Sequence, residues 1–543
     1  MIPVKFLTFN DSAPSQGYWD QTLLFKFFAQ KEFQIVEDLD FQKQDVAIVI
    51  IPGRQNVEYI KEINQYINNL QGVVLIIGGD EEGNFPIDQI IHTNIKVWLM
   101  TPHVEKAYPT VDRFIGEGYT PHCEYLPSHF PIKERNWFFA GQVTHQRRAD
   151  CVFNLRNMSN GKLIETAGFT QGIDPKAYIH EMSVSRVIPC PGGPETPDTF
   201  RFYEALESGC IPIADEYSAK DQTTGYWQML FGENFPFPTI KSWEELPELL
   251  LYFNDTFIKK QIEIMAWWIN YKRDLFITLI NDYKAIGGSV GEQSITVIIP
   301  TSPIPSNPST EIIDETISTI RSHLPDVEII ITFDGVREEQ LEKTLPYLEF
   351  QRECLWKANR GEYGRVRTIV FNEHLHQTGM IREALQKVTT PHIRYVEHDT
   401  PLTPDCDIDW EYCNYLLSSN TLDLIRFHFE SSIPKEHEYL MLKQYIKNNV
   451  YLYDFLPTIQ WSQRPHLARK DFYNRILHDH FSINAKAFIE DQMYKVVIEA
   501  YKKEHKQGWN KFKLAIYHPM DGNIKRSYNL DGRKQDPKYS MTF

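Results

Sequence analysis

Two acidic side chains with one residue between them follow a short apolar run in the second half of the chain. The run His392–Val396 is typical of a buried strand, and Glu397 and Asp399 come directly after it. Carboxylate oxygens at this spacing can reach one hard divalent cation. Such a cation neutralises the charge of a leaving diphosphate. The pair therefore predicts a metal site suited to diphosphate chemistry, although a solvated turn is the alternative.

Further polar residues after this pair complete a candidate site. Glu490 and Asp491 stand at a predicted helix start, where one of them could deprotonate a hydroxyl group or both could simply match the helix dipole. His518 follows a strand-like run and is a candidate third metal ligand or an ordinary surface histidine. Lys525 and Arg526 are candidates to hold phosphates on a closing loop.

Two polar positions precede the acidic pair. Asp334 follows the predicted strand Glu328–Thr332, and an acid at the carboxyl end of a strand is well placed to bind a base or a ribose. Arg382 lies in the segment Gln377–Leu385, which we interpret as a loop that enters a helix.

A second candidate site lies in the first half of the chain. A predicted strand runs into the Gly/Pro loop Pro191–Pro197, and a helix starts near Asp198 or Thr199, both good N-caps. The free N–H groups at a helix start suit a diphosphate. Arg201 and Glu204 lie one turn apart on this helix, so the carboxylate could accept two ribose hydroxyls while the arginine pairs with phosphate. An ordinary surface pair is the alternative.

Strands and helices alternate along the first half of the chain. This pattern predicts parallel sheets with helices on both faces. The sequence of this half contains no dinucleotide fingerprint and no Walker-type loop. The first unit, 1–130, has predicted strands at Val4–Phe9, Phe33–Val36, Val46–Ile51, Val73–Ile77 and Val97–Met100, and helices at Trp19–Gln30 and Val57–Leu70. The second unit, 131–288, has predicted strands at Trp137–Ala140, Val187–Pro189 and Ile211–Ala214, and helices at Thr199–Ser208, ended by Gly209, and Thr256–Ala285.

A glycine-rich segment separates the two halves. Gly287–Ser294 contains three glycines with serine and glutamine, which is typical of a linker. Alternation resumes with the strand Ile295–Pro300 and the helix Thr310–His323. We therefore expect a third domain over residues 294–543.

The first candidate site resembles the donor site of the exostosin family of GT-B glycosyltransferases. The resemblance rests on Arg201–Leu206 with Gly209–Pro212, and on Phe138–Gly141 with downstream arginines. It covers residues 135–285 and implies that Glu204 binds a nucleotide sugar. It also implies phosphate contacts from Arg201 and from Arg147 or Arg148. No cofactor is expected in this half.

The second half is similar to the large family-2 group of GT-A glycosyltransferases. The resemblance covers residues 294–525 and rests on the order of Ile295–Thr301, Asp334, the Gly379/Arg382 segment, the Glu397/Asp399 pair and the Glu490/Asp491 pair. It implies that Asp334 contacts the nucleotide, that Asp399 binds Mn²⁺ or Mg²⁺, and that Asp491 is the base.

Composition limits the partners and the compartment. Acidic residues outnumber basic ones, 72 to 56, which gives a net charge of −16 and disfavours nucleic acid, DNA-base modification included. Seven cysteines without a C-x-x-C pair favour a reducing compartment. No signal peptide and no apolar run of about 20 residues is present, so we expect a soluble cytoplasmic protein.

Together these patterns predict an α/β protein with two Rossmann-like units in a GT-B module, followed by a GT-A domain. The predicted function is bifunctional transfer of sugars from UDP- or GDP-sugar donors to a glycan or glycoconjugate. The alternative is one active, metal-dependent GT-A domain beside a GT-B-like module that binds without transferring.

Overall fold

The structure is a computed structural model that describes residues 1–9, 22–40, 45–168, 172–430, 432–442, 454–518 and 524–530. The chain separates into two compact units, Met1–Gly291 (unit 1) and Glu292–Phe543 (unit 2). Residues 19–21, the start of the helix expected at Trp19–Gln30, lie outside the described residues.

Six short apolar segments form the first sheet of unit 1. These strands are β1 (Ile2–Phe6), β2 (Phe33–Ile35), β3 (Val46–Pro52), β4 (Gly72–Gly78), β5 (Ile95–Met100) and β6 (Arg113–Ile115). All are parallel, in the order β2-β1-β3-β4-β5-β6, and the helices α1 (Thr22–Phe28) and α2 (Ile60–Ile67) belong to the same region. The central strands β3 and β4 are almost entirely buried, as a parallel sheet requires.

A second parallel sheet follows in the same unit. Its strands are β7 (Arg135–Gly141), β8 (Gly161–Glu165), β9 (Ser185–Cys190), β10 (Ile211–Asp215) and β11 (Thr239–Ile240), in the order β11-β10-β9-β7-β8. Its helices are α3 (Gln146–Arg156), α4 (Pro175–Ser183), α5 (Phe200–Glu207), α6 (Tyr226–Phe231) and α7 (Leu246–Ala285). The helix expected at Thr199–Ser208 is thus present as α5.

The long helix α7 joins the two sheets of unit 1. It has 40 residues and starts ten positions before the expected Thr256, directly after a short 3-10 helix (Trp243–Glu245) that Ser242 and Glu245 cap. Near its end, Asp282 accepts a hydrogen bond from the indole of Trp98 at 2.9 Å, which fixes α7 to β5 of the first sheet. No helix in the described part of the chain is long and apolar enough to cross a membrane.

The described residues of unit 2 form a mixed sheet of eight strands. These are β12 (Ile295–Thr301), β13 (Glu328–Phe333), β14 (Val366–Val370), β15 (His392–Tyr395), β16 (Leu424–Phe427), β17 (Phe455–Pro457), β18 (His466–Arg469) and β19 (Leu514–Tyr517). The order is β14-β13-β12-β15-β18-β16-β19-β17. The first four are mutually parallel, whereas β18 is antiparallel to both of its neighbours.

Seven α-helices accompany this sheet in the described part of unit 2. They are α8 (Glu311–His323), α9 (Thr344–Asn359), α10 (His376–Lys387), α11 (Trp410–Ser418), α12 (Lys470–His480), α13 (Ile489–Glu504) and α14 (Lys506–Asn510). The interpretation of Gln377–Leu385 as a loop entering a helix is wrong in one respect, because α10 already begins at His376. The chain is therefore an α/β protein built largely on parallel sheets.

Candidate functional site

A cavity of about 720 Å³ opens at the carboxyl ends of the strands of unit 1. Its walls come from the loops after β4, β6 and β7 and from the start of α5. The side chains that matter most for its chemistry are Glu81, Glu117, Thr120, Arg148, Tyr178, Asp198, Thr199, Arg201 and Glu204. Ligands of α/β proteins commonly bind at this edge of the sheet.

Two arginines give the cavity a basic wall. Arg201 donates to the carbonyl oxygen of Ala140 at 2.7 Å, and its guanidinium lies 4.5 Å from the ring centre of Phe139. Arg148 projects from α3 into the same cavity. Burial, and then the charge of Arg201, lower the pKa of Arg148 to about 10. Two guanidinium groups in one cavity wall suit an anionic ligand.

The start of α5 has an unusual cap. Thr199 is the N-cap residue, yet its side chain makes no capping hydrogen bond. Its hydroxyl is buried and has no hydrogen-bond partner in the structure, although it lines the cavity. A buried hydroxyl without a partner costs free energy unless a ligand or water satisfies it. The free hydroxyl and the helix start therefore favour an anionic ligand here.

Glu204 is buried in the cavity wall and already has partners. Its Oε1 accepts a hydrogen bond from Thr120 at 2.5 Å, and its Oε2 accepts one from the Tyr178 hydroxyl at 2.9 Å. Each of its oxygens accepts one of these hydrogen bonds and can accept a second, so a ribose hydroxyl could bind beside these donors.

The candidate arginines Arg147 and Arg148 are neighbours with different environments. Arg147 forms an ion pair with the buried carboxylate of Asp215 and donates to the Lys241 carbonyl oxygen at 3.0 Å. Among the described residues, Arg148 lines the cavity and Arg147 does not. Of the two alternatives that the sequence leaves open, Arg148 is therefore the one that faces the cavity.

The candidate site of unit 2 is an acidic cluster after β15. Glu397 accepts hydrogen bonds from Gln377 at 2.8 Å and from the Tyr395 hydroxyl at 3.3 Å. Burial, and then the charge of Asp399, raise the pKa of Glu397 to about 8, and Glu490 adds to the effect. A bound cation would favour the charged form of such a carboxyl group.

His518 is not part of this acidic cluster. Among the described residues, no three His, Cys, Asp or Glu side chains lie together as a metal-binding group. The expected three-ligand set of Glu397, Asp399 and His518 is therefore not formed. The reason is the strand order, because β18 and β16 lie between β15 and β19, which separates these strand ends by roughly 14 Å.

The two acids at the start of α13 also differ in environment. Glu490 accepts a hydrogen bond from the Gln463 backbone N–H at 2.9 Å, and its charge acts on Glu397. Asp491 is exposed and lines a separate pocket of about 340 Å³ with Lys486 and Lys495. Glu490 is thus the acid beside the predicted metal pair.

The three remaining candidates of unit 2 make contacts with the protein itself. Asp334 accepts from the backbone N–H groups of Leu375 and His376 at 2.7 and 3.1 Å, and so anchors the start of α10. Arg382 donates to backbone carbonyl oxygens, including those of Leu477 and Ile483. Arg526, expected on a closing loop, is 2% exposed and donates to the Ile524 carbonyl oxygen at 2.6 Å.

Several residues that shape the two sites were not anticipated from the sequence. In unit 1 they are Glu81, Glu117, Thr120 and Tyr178, and in unit 2 they are Gln377, Tyr395 and Arg464. Most of them stand in loops or short elements without a recognisable motif. Thr120 is 84 positions from its partner Glu204, so no local signal connects the two.

One family model matches part of unit 1. Residues 121–284 match the model of the RXYLT1 C-terminal domain. This range contains β7–β11, both cavity arginines and Glu204, and it overlaps the region that resembles the exostosin family. The match supports the prediction of a glycosyltransferase. A comparison with curated protein sequences finds no significant match.

Several solved structures show limited likeness to the chain. TarS 1-349 of S. aureus has 11% identity and a TM-score of 0.26, over 44% of this chain and 60% of that one. The mannosyltransferase PcManGT from Pyrobaculum calidifontis, with GDP-Man and Mn²⁺, has 10% identity and a TM-score of 0.25, over 48% and 70%. Glucosyl-3-phosphoglycerate synthase from Mycobacterium tuberculosis has 10% identity and a TM-score of 0.23, over 42% of this chain and 71% of that one. These scores lie below 0.5 and carry no functional argument.

Proposed function

We propose that the chain is a glycosyltransferase whose unit 1 binds a nucleoside-diphosphate sugar in its cavity. The observation that carries the proposal is the convergence of Arg148, Arg201 and the open start of α5 on one cavity of about 720 Å³. Guanidinium groups and free backbone N–H groups are the donors that bind phosphate oxygens best. A cavity of this volume also lies within the range of about 300–1,000 Å³ that is usual for small-molecule sites.

The nucleotide-sugar identity of the anion rests on the carboxylates beside the arginines and on the family match. Glu204 lies on the same helix as Arg201, where its remaining acceptor sites, beside those used by Thr120 and Tyr178, would receive ribose hydroxyls. RXYLT1 is a xylosyltransferase, which makes a pentose the first sugar to test, beside the hexoses of other UDP- and GDP-sugars.

Unit 2 is proposed as a second transferase centre, in a GT-B followed by GT-A arrangement. Glu397 and Asp399 would hold Mn²⁺ or Mg²⁺ there. The ion supplies charge neutralisation for a departing diphosphate. Glu490 is the better placed of the two α13 acids to take a proton from an acceptor hydroxyl, because its charge reaches Glu397. The acceptor is proposed to be a glycan or glycoconjugate.

The competing proposal makes unit 1 a module that binds a nucleotide or glycan without transferring sugar. One observation favours it, since both oxygens of Glu204 are already hydrogen-bonded to the protein. Transfer would then be confined to unit 2 and its metal.

The decisive experiment measures nucleotide binding and donor hydrolysis by the full-length chain, with and without Mn²⁺. We expect Arg201→Ala to weaken UDP binding in EDTA about 10- to 150-fold, because hydrogen bonds to charged groups contribute about 1.5–3 kcal/mol. Asp399→Ala should leave this binding unchanged and remove the Mn²⁺-dependent activity. Arg156→Ala is the matched control, since Arg156 is 58% exposed and pairs with Glu165 away from the cavity.

The same variants separate the two proposals. If Arg201→Ala loses UDP binding but the full sugar-transfer activity remains, unit 1 is a binding module. If neither UDP nor GDP binds to the wild type in EDTA, the cavity does not serve nucleotides and the proposal for unit 1 fails.

A further inference from the structure

A buried carboxylate stands at the carboxyl edge of the second sheet of unit 1. Asp215 is the last residue of β10 and is fully buried, and within the described part of the chain it is not a lining residue of the cavity. Its two oxygens accept from five N–H groups, namely two of Arg147, the backbones of Gly192 and Tyr217, and the indole of Trp243. These donors follow β7, β9, β10 and β11, so one carboxylate joins the segments after four strands.

The strongest of these donors is Arg147, in the first turn of α3. Its Nε donates to Asp215 Oδ2 at 3.0 Å, and its Nη2 donates to Oδ1. Its Nη1 donates to the Lys241 carbonyl oxygen at 3.0 Å. Helix α3 follows β7, whereas Asp215 ends β10, and β9 lies between these two strands. The two-pronged ion pair therefore ties the start of α3 across the sheet edge to β10.

This tie reaches Arg148, which is the next residue of α3 and lines the cavity. The helix has no side-chain cap at its N-cap residue His145. Among the described residues, the Arg148 guanidinium has one hydrogen bond, to the Gln142 carbonyl oxygen at 3.3 Å, and its Nε is buried without a partner. Arg201 is instead held directly by the Ala140 carbonyl oxygen at 2.7 Å. The position of Arg148 therefore depends on the start of α3, whereas that of Arg201 does not.

Another donor lies in the Gly/Pro loop that precedes α5. The Gly192 N–H donates to Asp215 Oδ2 at 3.2 Å. A Cβ on Gly192 would lie 2.1 Å from the Tyr217 carbonyl oxygen, so the loop packs directly on the backbone that follows β10. The next two residues, Gly193 and Pro194, line the cavity on the way to the start of α5. Asp215 therefore also fixes the loop that leads into this helix.

We propose that Asp215 is the positioning residue of the anion site in unit 1, an inference that rests on the function proposed above for this cavity. Asp215 itself does not touch the ligand. Its carboxylate holds Arg148 through Arg147 and holds the loop before α5 through Gly192, so the phosphate donors of both segments keep a fixed separation. A diphosphate that spans them then binds without first ordering either segment, which raises its affinity. Of the two arginines that the sequence left as alternatives, Arg147 thus contributes indirectly.

The first test measures nucleotide binding to the full-length chain by titration calorimetry in EDTA. The probe is UDP, or GDP if the wild type binds that nucleotide alone, and the binding event followed is the one that Arg201→Ala weakens. Asp215→Asn preserves size, but in either orientation its NH₂ group faces N–H donors and cannot accept from them. We expect a loss of affinity of about 10- to 150-fold, the range for hydrogen bonds to a charged partner.

Asp282→Asn is the matched control. Asp282 is a buried acid of the same unit that also accepts from an indole, that of Trp98, and it does not line the cavity. Its affinity for the nucleotide should stay within about twofold of the wild type. A variant that is less stable but still folded binds with unchanged affinity, because its binding-competent fraction stays near one. Hydrogen exchange of unit 1 peptides reports whether each variant is folded.

A double-mutant cycle separates positioning from a general structural role. Arg147→Ala should weaken nucleotide binding at least about fivefold in the wild type but less than about twofold in an Arg148→Ala background, because its effect passes through Arg148. Residues that act as a unit typically couple by about 2- to 150-fold in an equilibrium constant. The Arg147 side chain is 15% exposed, so this cycle decides alone if Asp215→Asn unfolds unit 1.

Three results would overturn the inference. The first is a folded Asp215→Asn protein that binds the nucleotide within about twofold of the wild type. The second is Arg147→Ala with wild-type affinity. The third is an equal loss from Arg147→Ala in both backgrounds, because Arg147 would then act independently of Arg148. A wild type that binds neither UDP nor GDP, or binding that Arg201→Ala leaves unchanged, refutes the proposed function itself, and these two measurements are made first.

Discussion

The candidate sites of the two units solve the same electrostatic problem in opposite ways. In unit 1, two arginines and a helix start supply positive charge from the protein itself. In unit 2, Glu397 and Asp399 supply carboxyl groups, and burial raises the pKa of Glu397 to about 8, so that its charged form would need a bound cation. A diphosphate can bind the first site directly, whereas the second needs a cation between protein and ligand. Chelators should therefore affect the site of unit 2 and leave that of unit 1 unchanged.

The contacts that hold the two sites in place also differ. Helix α5, which carries Arg201 and Glu204, packs on an aromatic cluster in which Phe202 lies 4.5 Å from Trp227 and 4.8 Å from Phe237 between ring centres. The acidic cluster of unit 2 is instead positioned by polar contacts, such as the hydrogen bond from Gln377 to Glu397. The position of α5 therefore depends on packing and that of the acidic cluster on hydrogen bonding.

The largest effect that would test this difference is expected from Trp227→Ala. Trp227 is fully buried, and its indole also donates to the Asp215 carbonyl oxygen at 2.9 Å. Its removal should destabilise unit 1 by about 3–5 kcal/mol. Hydrogen exchange followed by mass spectrometry in increasing urea reports each unit separately. Peptides from unit 1 should lose protection at lower urea, while those from unit 2 stay unchanged.

Trp356→Ala is the matched variant in unit 2, since Trp356 is also fully buried. It should shift the unit 2 peptides and leave unit 1 protected. If either substitution unfolds both units together, the units are not independent and the contrast between their supports does not hold.

Local signals explain what could be predicted of the fold and of the first site. The Gly/Pro loop and Gly209 bracket α5, so its limits and the shared face of Arg201 and Glu204 follow from the sequence. Glu117 follows β6, a strand of three residues that carries too short a pattern to be recognised. Its contact with Asp198 spans 81 positions, and such pairings depend on how sheets pack rather than on any local motif.

In unit 2 the sequence indicated where the candidate residues stand in the fold better than which groups they contact. Asp334 does stand at the end of a strand, but the backbone of residues 375–376 competes for its carboxylate because α10 starts there. Glu490 and Asp491 are adjacent in sequence, and only the direction of α13 decides that Glu490 faces the acidic cluster. His518 depends on the strand order, which no spacing reveals.

The unfolding free energy of unit 1 should depend on pH through the buried carboxyl group of Asp198. Burial raises the pKa of Asp198 to about 6, despite hydrogen bonds from Glu117, Tyr226 and Tyr203. Because this folded-state pKa lies above the unfolded value of 3.8, the stabilising contribution is complete below about pH 4 and is lost as the pH rises through 6. The change is limited to about 3 kcal/mol. Asp198→Asn should remove it from a plot of unfolding free energy against pH.

Asp88→Asn, at an exposed position of the same unit, is the control and should leave the profile unchanged. An Asp198→Asn protein whose stability still falls between pH 4 and 7 as in the wild type would assign that dependence to another group. Peptides from unit 2 should follow a different profile in the same experiment, since Asp198 lies outside that unit.

The smallest effect compares two glycines that end helices, one in each unit. Gly209 after α5 has φ +60° and Gly361 after α9 has φ +81°, a region that costs a residue with a side chain about 1–2 kcal/mol. A Cβ at Gly361 meets no described atom within 4 Å, whereas at Gly209 it would lie 3.1 Å from the ring of Phe130. Gly361→Ala should therefore cost about 1 kcal/mol and Gly209→Ala about 2, since overpacking adds a further term. Urea unfolding of each unit measures both values. Gly361→Asn should recover part of its loss because asparagine tolerates this conformation, while Gly209→Asn should not. Equal losses of unfolding free energy at the two positions would show that the side chains around Gly209 relax without a penalty. That result would contradict the inference that the unit 1 site depends on packing.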